Sequence, residues 1–106
     1  KDCSLVKDYL DNHYKESITL DILSLESGMN KYYLVHSFTK LYGCSPISYL
    51  IEKRIEESKI LLETTDMSIA GIAAQLGFSS QSYFSQSFKK NTGMTPNDYR
   101  KSTKLL

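Results

Sequence analysis

The chain has 106 residues, of which 41% are hydrophobic and 24% charged, a length and composition ordinary for one globular domain or two very small ones, and one that excludes a disordered single-charge segment. No apolar run approaches the ~20 residues of a membrane-spanning helix, and residues 1–14 hold no signal-peptide core. The net charge of +1 and pI near 7.9 give no overall footprint of a nucleic-acid binder, for which a pI above about 9 is usual.

The first residue is Lys rather than Met, so a piece cut from a longer protein is expected. Cys3 and Cys44 are too few for a disulfide scaffold, and neither lies in a C-x-x-C pair or near a His at metal spacing. A reducing, cytoplasmic compartment is expected, with no metal and no cofactor.

Alternation is too short anywhere to predict strands, whereas helical spacing is widespread. Leu5, Val6, Tyr9, Leu10 and His13 form the stripe of a first helix. Thr19 is the expected N-cap of a second, which Gly28 ends, and Asn30 caps a third that runs to Tyr42 and stops at Gly43. Ser45-Pro46 opens a fourth over Pro46–Glu63, about 27 Å long at ~1.5 Å per residue. Asp66 or Ser68 caps a fifth that reaches Gly77, a sixth covers 80–91 and stops at Gly93, and Thr95-Pro96 starts a short seventh. The expected fold is all-α, with about seven helices.

The order repeats. At an offset of 50, Tyr33 meets Tyr83, Leu34 meets Phe84, Phe38 meets Phe88, Gly43 meets Gly93, Cys44 meets Met94 and Tyr49 meets Tyr99. At an offset of 49, Leu20 meets Ile69, Leu23 meets Ile72, Gly28 meets Gly77 and Met29 meets Phe78. Each unit therefore reads helix, glycine turn, helix. Ser24, Ala73 and Ala74 let paired helices approach, and Gly28 and Gly77 permit the turn. Leu34/Phe84 and Phe38/Phe88 predict a shared core, with Cys44 as a packing position. This divides the chain into a first helix-turn-helix subdomain (1–45), a linker helix (46–64) and a second subdomain (65–106).

The residues of the second unit carry a longer pattern. Ile69-Ala70-Gly71-Ile72-Ala73, Gly77-Phe78, Ser82-Tyr83-Phe84, Phe88-Lys89-Lys90, Gly93-Met94-Thr95-Pro96 and Tyr99-Arg100 together resemble the signature of the AraC/XylS family. The resemblance covers about residues 4–101. It implies a bacterial transcription regulator's DNA-binding domain with two helix-turn-helix subdomains and a rigid linker, both recognition helices entering adjacent major-groove segments. The first unit departs from the pattern: Lys31-Tyr32 stands where Pro-Ser is frequent, and Val35-His36 where Ser-Arg or Gln-Arg is frequent. The resemblance also implies RNA polymerase as a partner and an absent N-terminal sensor or receiver domain.

The charge map points the same way independently. All twelve acidic residues lie outside two windows, Ser27–Ile51 and Met67–Asn97. These windows hold Lys31, Lys40, Lys89 and Lys90, hence +4, and the remainder of the chain carries −3. A phosphate-facing surface excludes acids.

Helical phase sorts the contacts. Leu34, Phe38 and Leu41 face inward on the third helix, leaving Tyr32, Val35, His36 and Thr39 as base-contacting candidates. Phe84 and Phe88 face inward on the sixth, leaving Gln81, Ser82, Ser85 and Gln86. Gln matches adenine N6/N7 bidentately, Ser accepts varied partners, Val35 and the Thr39 methyl suit a thymine methyl, and His36 suits a guanine acceptor. Asn30, Lys31, Lys40, Ser80, Lys89, Lys90 and Arg100 are the backbone candidates, which set position rather than sequence. For each polar side chain the competing reading is an ordinary solvated helix face. Arg54, on the inward stripe of the linker, is expected to pair with an acid or a phosphate.

No catalytic constellation accompanies these residues, and the two histidines lie 23 positions apart without an adjacent acid, so an enzyme is not expected. The reading is sequence-specific double-stranded DNA binding, more as activator than repressor. The alternative is a helical protein-interaction module that contacts RNA polymerase or a partner domain.

Overall fold

A computed structural model describes residues 3–104. Among these are seven α-helices and no strand: α1 (Cys3–His13), α2 (Leu20–Ser27), α3 (Lys31–Tyr42), α4 (Pro46–Thr64), α5 (Ile69–Gln75), α6 (Gln81–Thr92) and α7 (Pro96–Lys104). The expected all-helical order holds, with helix ends within a residue or two of those read from the sequence.

Local chemistry chooses the starts. The side chains of Thr19, Asn30, Ser45, Ser68 and Ser80 each accept the backbone N–H three residues on, at 2.8–3.2 Å, and so satisfy one of the orphan donors of a helix N-terminus. Ser68, not Asp66, caps α5. Pro46 takes the first position of α4, where its missing N–H costs nothing.

Two cores flank α4. Cys3, Val6, Leu10, Leu23, Met29, Leu34, Phe38 and Leu50 form one, and Ile55, Leu62, Ile72, Ala73, Leu76, Phe78, Phe84 and Phe88 the other. Leu34, Phe38, Phe84 and Phe88 are fully buried, as their spacing predicts. They do not meet in one shared core, however. The linker stands between the units, giving Leu50 to the first core and Ile55 and Leu62 to the second. The molecule is accordingly elongated, 47 × 22 × 20 Å.

Three side chains depart from the sequence reading. Leu41 is 62% exposed rather than inward. Its repeat equivalent Asn91 is exposed too, and in the last turn of α3 it is Tyr42, not Leu41, that packs against the core. Ala74 is exposed, so the close approach within the second unit belongs to Ala73 alone. Ser24, its counterpart in the first unit, is part-buried and donates to the Met29 carbonyl at 2.5 Å, which closes the turn. Arg54 is buried, and among the described residues no carboxylate pairs with it. Its Nε and Nη2 donate to the carbonyls of Tyr14 and Glu16 at 2.6 and 2.8 Å.

Candidate nucleic-acid interface

In α3, Phe38 and Leu34 anchor the helix in the first core, and the opposite face is open to solvent. Tyr32, His36 and Thr39 are exposed there and Val35 is half-buried. The structure brings Tyr32 and His36 together: the phenol oxygen lies 2.7 Å from His36 Nε2, and the rings meet edge-on at 4.4 Å between centroids. In α6, Phe84 and Phe88 are the anchors. Gln81, Ser82 and Gln86 are exposed and Ser85 is half-buried. Gln86 Nε2 donates to Ser82 Oγ at 3.2 Å. Tyr32–His36 and Ser82–Gln86 are equivalent pairs at the offset of 50, one aromatic and one polar.

Gln86 and Lys90 also line a groove of about 410 Å³ between α6 and the first turns of α4, together with Ile47, Ser48 and Glu52. The α6 face is thus continuous with the start of the linker.

The backbone candidates divide into three kinds. Lys40, Lys89 and Lys90 are exposed, and among the described residues no carboxylate pairs with them. Lys31 is paired: its ammonium meets Asp21 of α2 across the turn. Asn30 and Ser80 use their side-chain oxygens as caps for Tyr33 and Tyr83, which leaves the Asn30 amide N–H groups and the Ser80 O–H as donors.

Arg100 stands apart. It is half-buried, and its Nε and Nη2 donate to the carbonyls of Leu62, in the last turn of α4, and of the C-cap residue Thr65, at 3.1 and 3.2 Å. It caps the linker helix, with a favourable positive charge at a helix C-terminus.

Other singled-out residues have structural partners. His13 ends α1, stacked on Tyr9 at 4.3 Å with Nδ1 2.6 Å from Glu16. Cys44 is half-buried, and burial, with the Glu52 charge behind it, pushes its thiol pKa up and away from reactivity. Among the described residues no group of three or more His, Cys, Asp or Glu side chains could hold a metal, and no helix is long and apolar enough to cross a membrane.

A family profile described as a helix-turn-helix domain matches residues 23–102. The chain is 40% identical over 103 residues to the HTH-type transcriptional regulator YdiP of Escherichia coli K12, covering 94% of this chain and 34% of that protein. It spans about a third of the length of three of the curated relatives it matches and 13% of that of others. Its fold is similar to the C-terminal domain of the two-component response regulator yesN of Fusobacterium nucleatum (TM-score 0.86, 37% identity, 92% of this chain and 95% of that one). It is also similar to the DNA-binding domain of AdpA, a global transcriptional factor solved with a target DNA (TM-score 0.90, 26% identity, 97% and 93%).

Proposed function

The chain belongs to the AraC/XylS family of bacterial transcription regulators, as a DNA-binding domain of the helix-turn-helix type, and from that premise we propose that both α3 and α6 read bases, in major-groove segments about one turn apart. The observation that carries this is the repeat itself. Equivalent helices on either side of α4 bury matching pairs, Leu34/Phe38 and Phe84/Phe88, and both turn acid-free faces outward. The similarity to a domain solved with a target DNA supports the DNA-binding part of this reading.

On α6, Gln86 and Gln81 read adenine edges, with Ser82 and Ser85 as adaptable partners. On α3, Val35 and Thr39 offer methyl contacts, and Tyr32 and His36 act as a joined pair. Lys40, Lys89 and Lys90, with Lys31, hold phosphates, and the cap residues Asn30 and Ser80 add short donors at the helix starts. Arg100 contributes to this surface through the linker it caps.

The test compares two variants on a duplex selected from random sequence and on a random duplex. Gln86→Ala is expected to cost about 1–3 kcal/mol on the selected duplex alone, whereas Lys89→Ala weakens both and lowers the salt slope by about 1. Equal losses on both duplexes for both variants would reduce α6 to a phosphate-binding helix.

Exposed apolar residues outside these faces, Leu5 at 68% and Leu25 at 82%, favour a protein contact besides DNA. RNA polymerase and the N-terminal sensor or receiver domain of a longer cytoplasmic regulator are the partners such a contact fits, with activation as the outcome. Leu25→Ser is expected to lower transcription without lowering DNA affinity.

A further inference from the structure

The two cores are separate, and α4 is the element common to both. The helix holds each unit through the side chains it gives to that unit's core, Leu50 on one side and Ile55 and Leu62 on the other. Direct contact between the units adds to this. The segment after α1 is seated against the turn of the second unit. Gly77 has φ +89, and a Cβ there would lie 2.7 Å from the Lys15 carbonyl oxygen and 2.9 Å from Arg54 Nη2. Backbone from one unit therefore touches backbone of the other with no room for a methyl group.

Arg54 passes through this contact. From α4 it donates to the Tyr14 and Glu16 carbonyls of the first unit, and its guanidinium lies 5.4 Å from the centre of the Phe78 ring, in the second core. Tyr14 packs against both cores and donates from its hydroxyl to Glu57 of α4 at 3.1 Å. A buried guanidinium is costly unless its donors are met. Here the Tyr14 and Glu16 carbonyls accept from it, which ties that loop to α4, while Gly77 and the Phe78 ring of the second unit close on the same guanidinium. The planar fork makes the requirement directional, which an ammonium would not.

We propose that Arg54 is a positioning residue that sets the spacing between the two DNA half-sites, by locking the roll of one reading helix against the other across the Gly77 contact. The proposal rests on the double-headed reading above. Arg54 touches no base in this account; it acts through the placement of α3 and α6.

The experiment uses a panel of duplexes in which two half-sites, taken from the sequence that the unaltered domain selects, are set at the selected spacing and at one and two base pairs more or less. A duplex with one half-site alone is added. The unaltered domain is expected to favour one spacing by roughly tenfold or more. In Arg54→Lys, and in Arg54→Met, which keeps the packing on Phe78 without the charge, that preference should fall to within about threefold while affinity for the single half-site stays within about twofold. An unchanged spacing profile in both variants overturns the proposal. So does an equal loss on single and paired half-sites, which would make Arg54 a residue of stability alone.

A second measurement is independent of DNA. Spin labels at Leu25 and Ala74, exposed and equivalent in the repeat, in a background with Cys3 and Cys44 replaced by serine, should give one narrow distance that broadens in Arg54→Lys. A distance equally narrow in the variant overturns the lock. Absence of any spacing preference in the unaltered domain is a different result: it removes the double-headed reading itself, and it is seen before any variant is made.

Discussion

Residue for residue, α3 and α6 are capped alike, by Asn30 and Ser80, anchored alike, by Leu34/Phe38 and Phe84/Phe88, and ended alike, at Gly43 and Gly93. What they show to solvent differs in kind. On α3 the equivalent pair is Tyr32–His36, two rings bonded to each other, and the lysine at the helix start is held by Asp21. On α6 the pair is Ser82–Gln86, in which the Gln86 carbonyl keeps its acceptor capacity, and Lys89 and Lys90 have no described ion-pair partner. The repeat constrains what is buried and what closes a turn, because packing and orphan N–H groups tolerate little change. It leaves exposed faces free to diverge, and with them the sequence each helix reads.

The largest expected effects test the sameness of the cores. Phe38→Ala and Phe84→Ala each remove a fully buried ring and should cost about 3–5 kcal/mol by urea unfolding. A loss below ~1 kcal/mol at one site would mean that unit's core is not packed as described.

Next comes the difference in reading. Gln86→Ala should cost about 1–3 kcal/mol on the selected duplex by fluorescence anisotropy, and His36→Ala less than about 1, because His36 spends a nitrogen on Tyr32. The reverse order would place the main base reader in the first unit. The caps should be alike: Asn30→Ala and Ser80→Ala are each expected to cost about 1 kcal/mol of stability.

Asp21→Asn should release Lys31 and strengthen binding to any duplex by roughly 0.5 kcal/mol, with a salt slope steeper by about 1. Unchanged binding would show that Lys31 faces no phosphate.

At high pH the units are alike again. Tyr99 donates to Glu63, and that bond with burial behind it pushes its phenol up to about 12. Its equivalent Tyr49 donates to Asp11 at 2.6 Å, and burial, then that bond, pushes it up from 10.0. The folded form holds both phenols neutral. Their contribution is therefore fully present below the unfolded value near 10 and is lost as pH rises through the folded values, for Tyr99 between about 10 and about 12. Phenolate absorbance on titration should show a latest-ionising group that disappears in Tyr99→Phe.

The helices were legible in the sequence because their ends are written locally: Thr19, Asn30, Ser45 and Ser80 as caps, Gly28, Gly43 and Gly93 as stops, Pro46 and Pro96 as starts. The buried stripes followed from spacing. Leu41 was misplaced because the core takes Phe38 and Tyr42 from that end of α3, and Leu41 falls to one side of the face they share. The partners of Arg54 left no mark, since they are backbone carbonyls about 40 positions away and a carbonyl has no side-chain signature. Arg100 was hidden for the same reason. Asp21 lies outside the acid-free window in sequence, yet the tight turn returns it to Lys31. The candidate face of α6 was more legible than that of α3, because Gln and Ser state their hydrogen-bonding chemistry outright, while Tyr32 and His36 acquire theirs from each other.

The most direct test of double-headed reading is selection of random duplexes by the purified domain at two salt concentrations. A bipartite motif should emerge, its halves about one helical turn apart, and it should persist at the higher salt. A single short motif would contradict reading by both helices, and steeply salt-dependent binding without any motif would leave only a surface for phosphates.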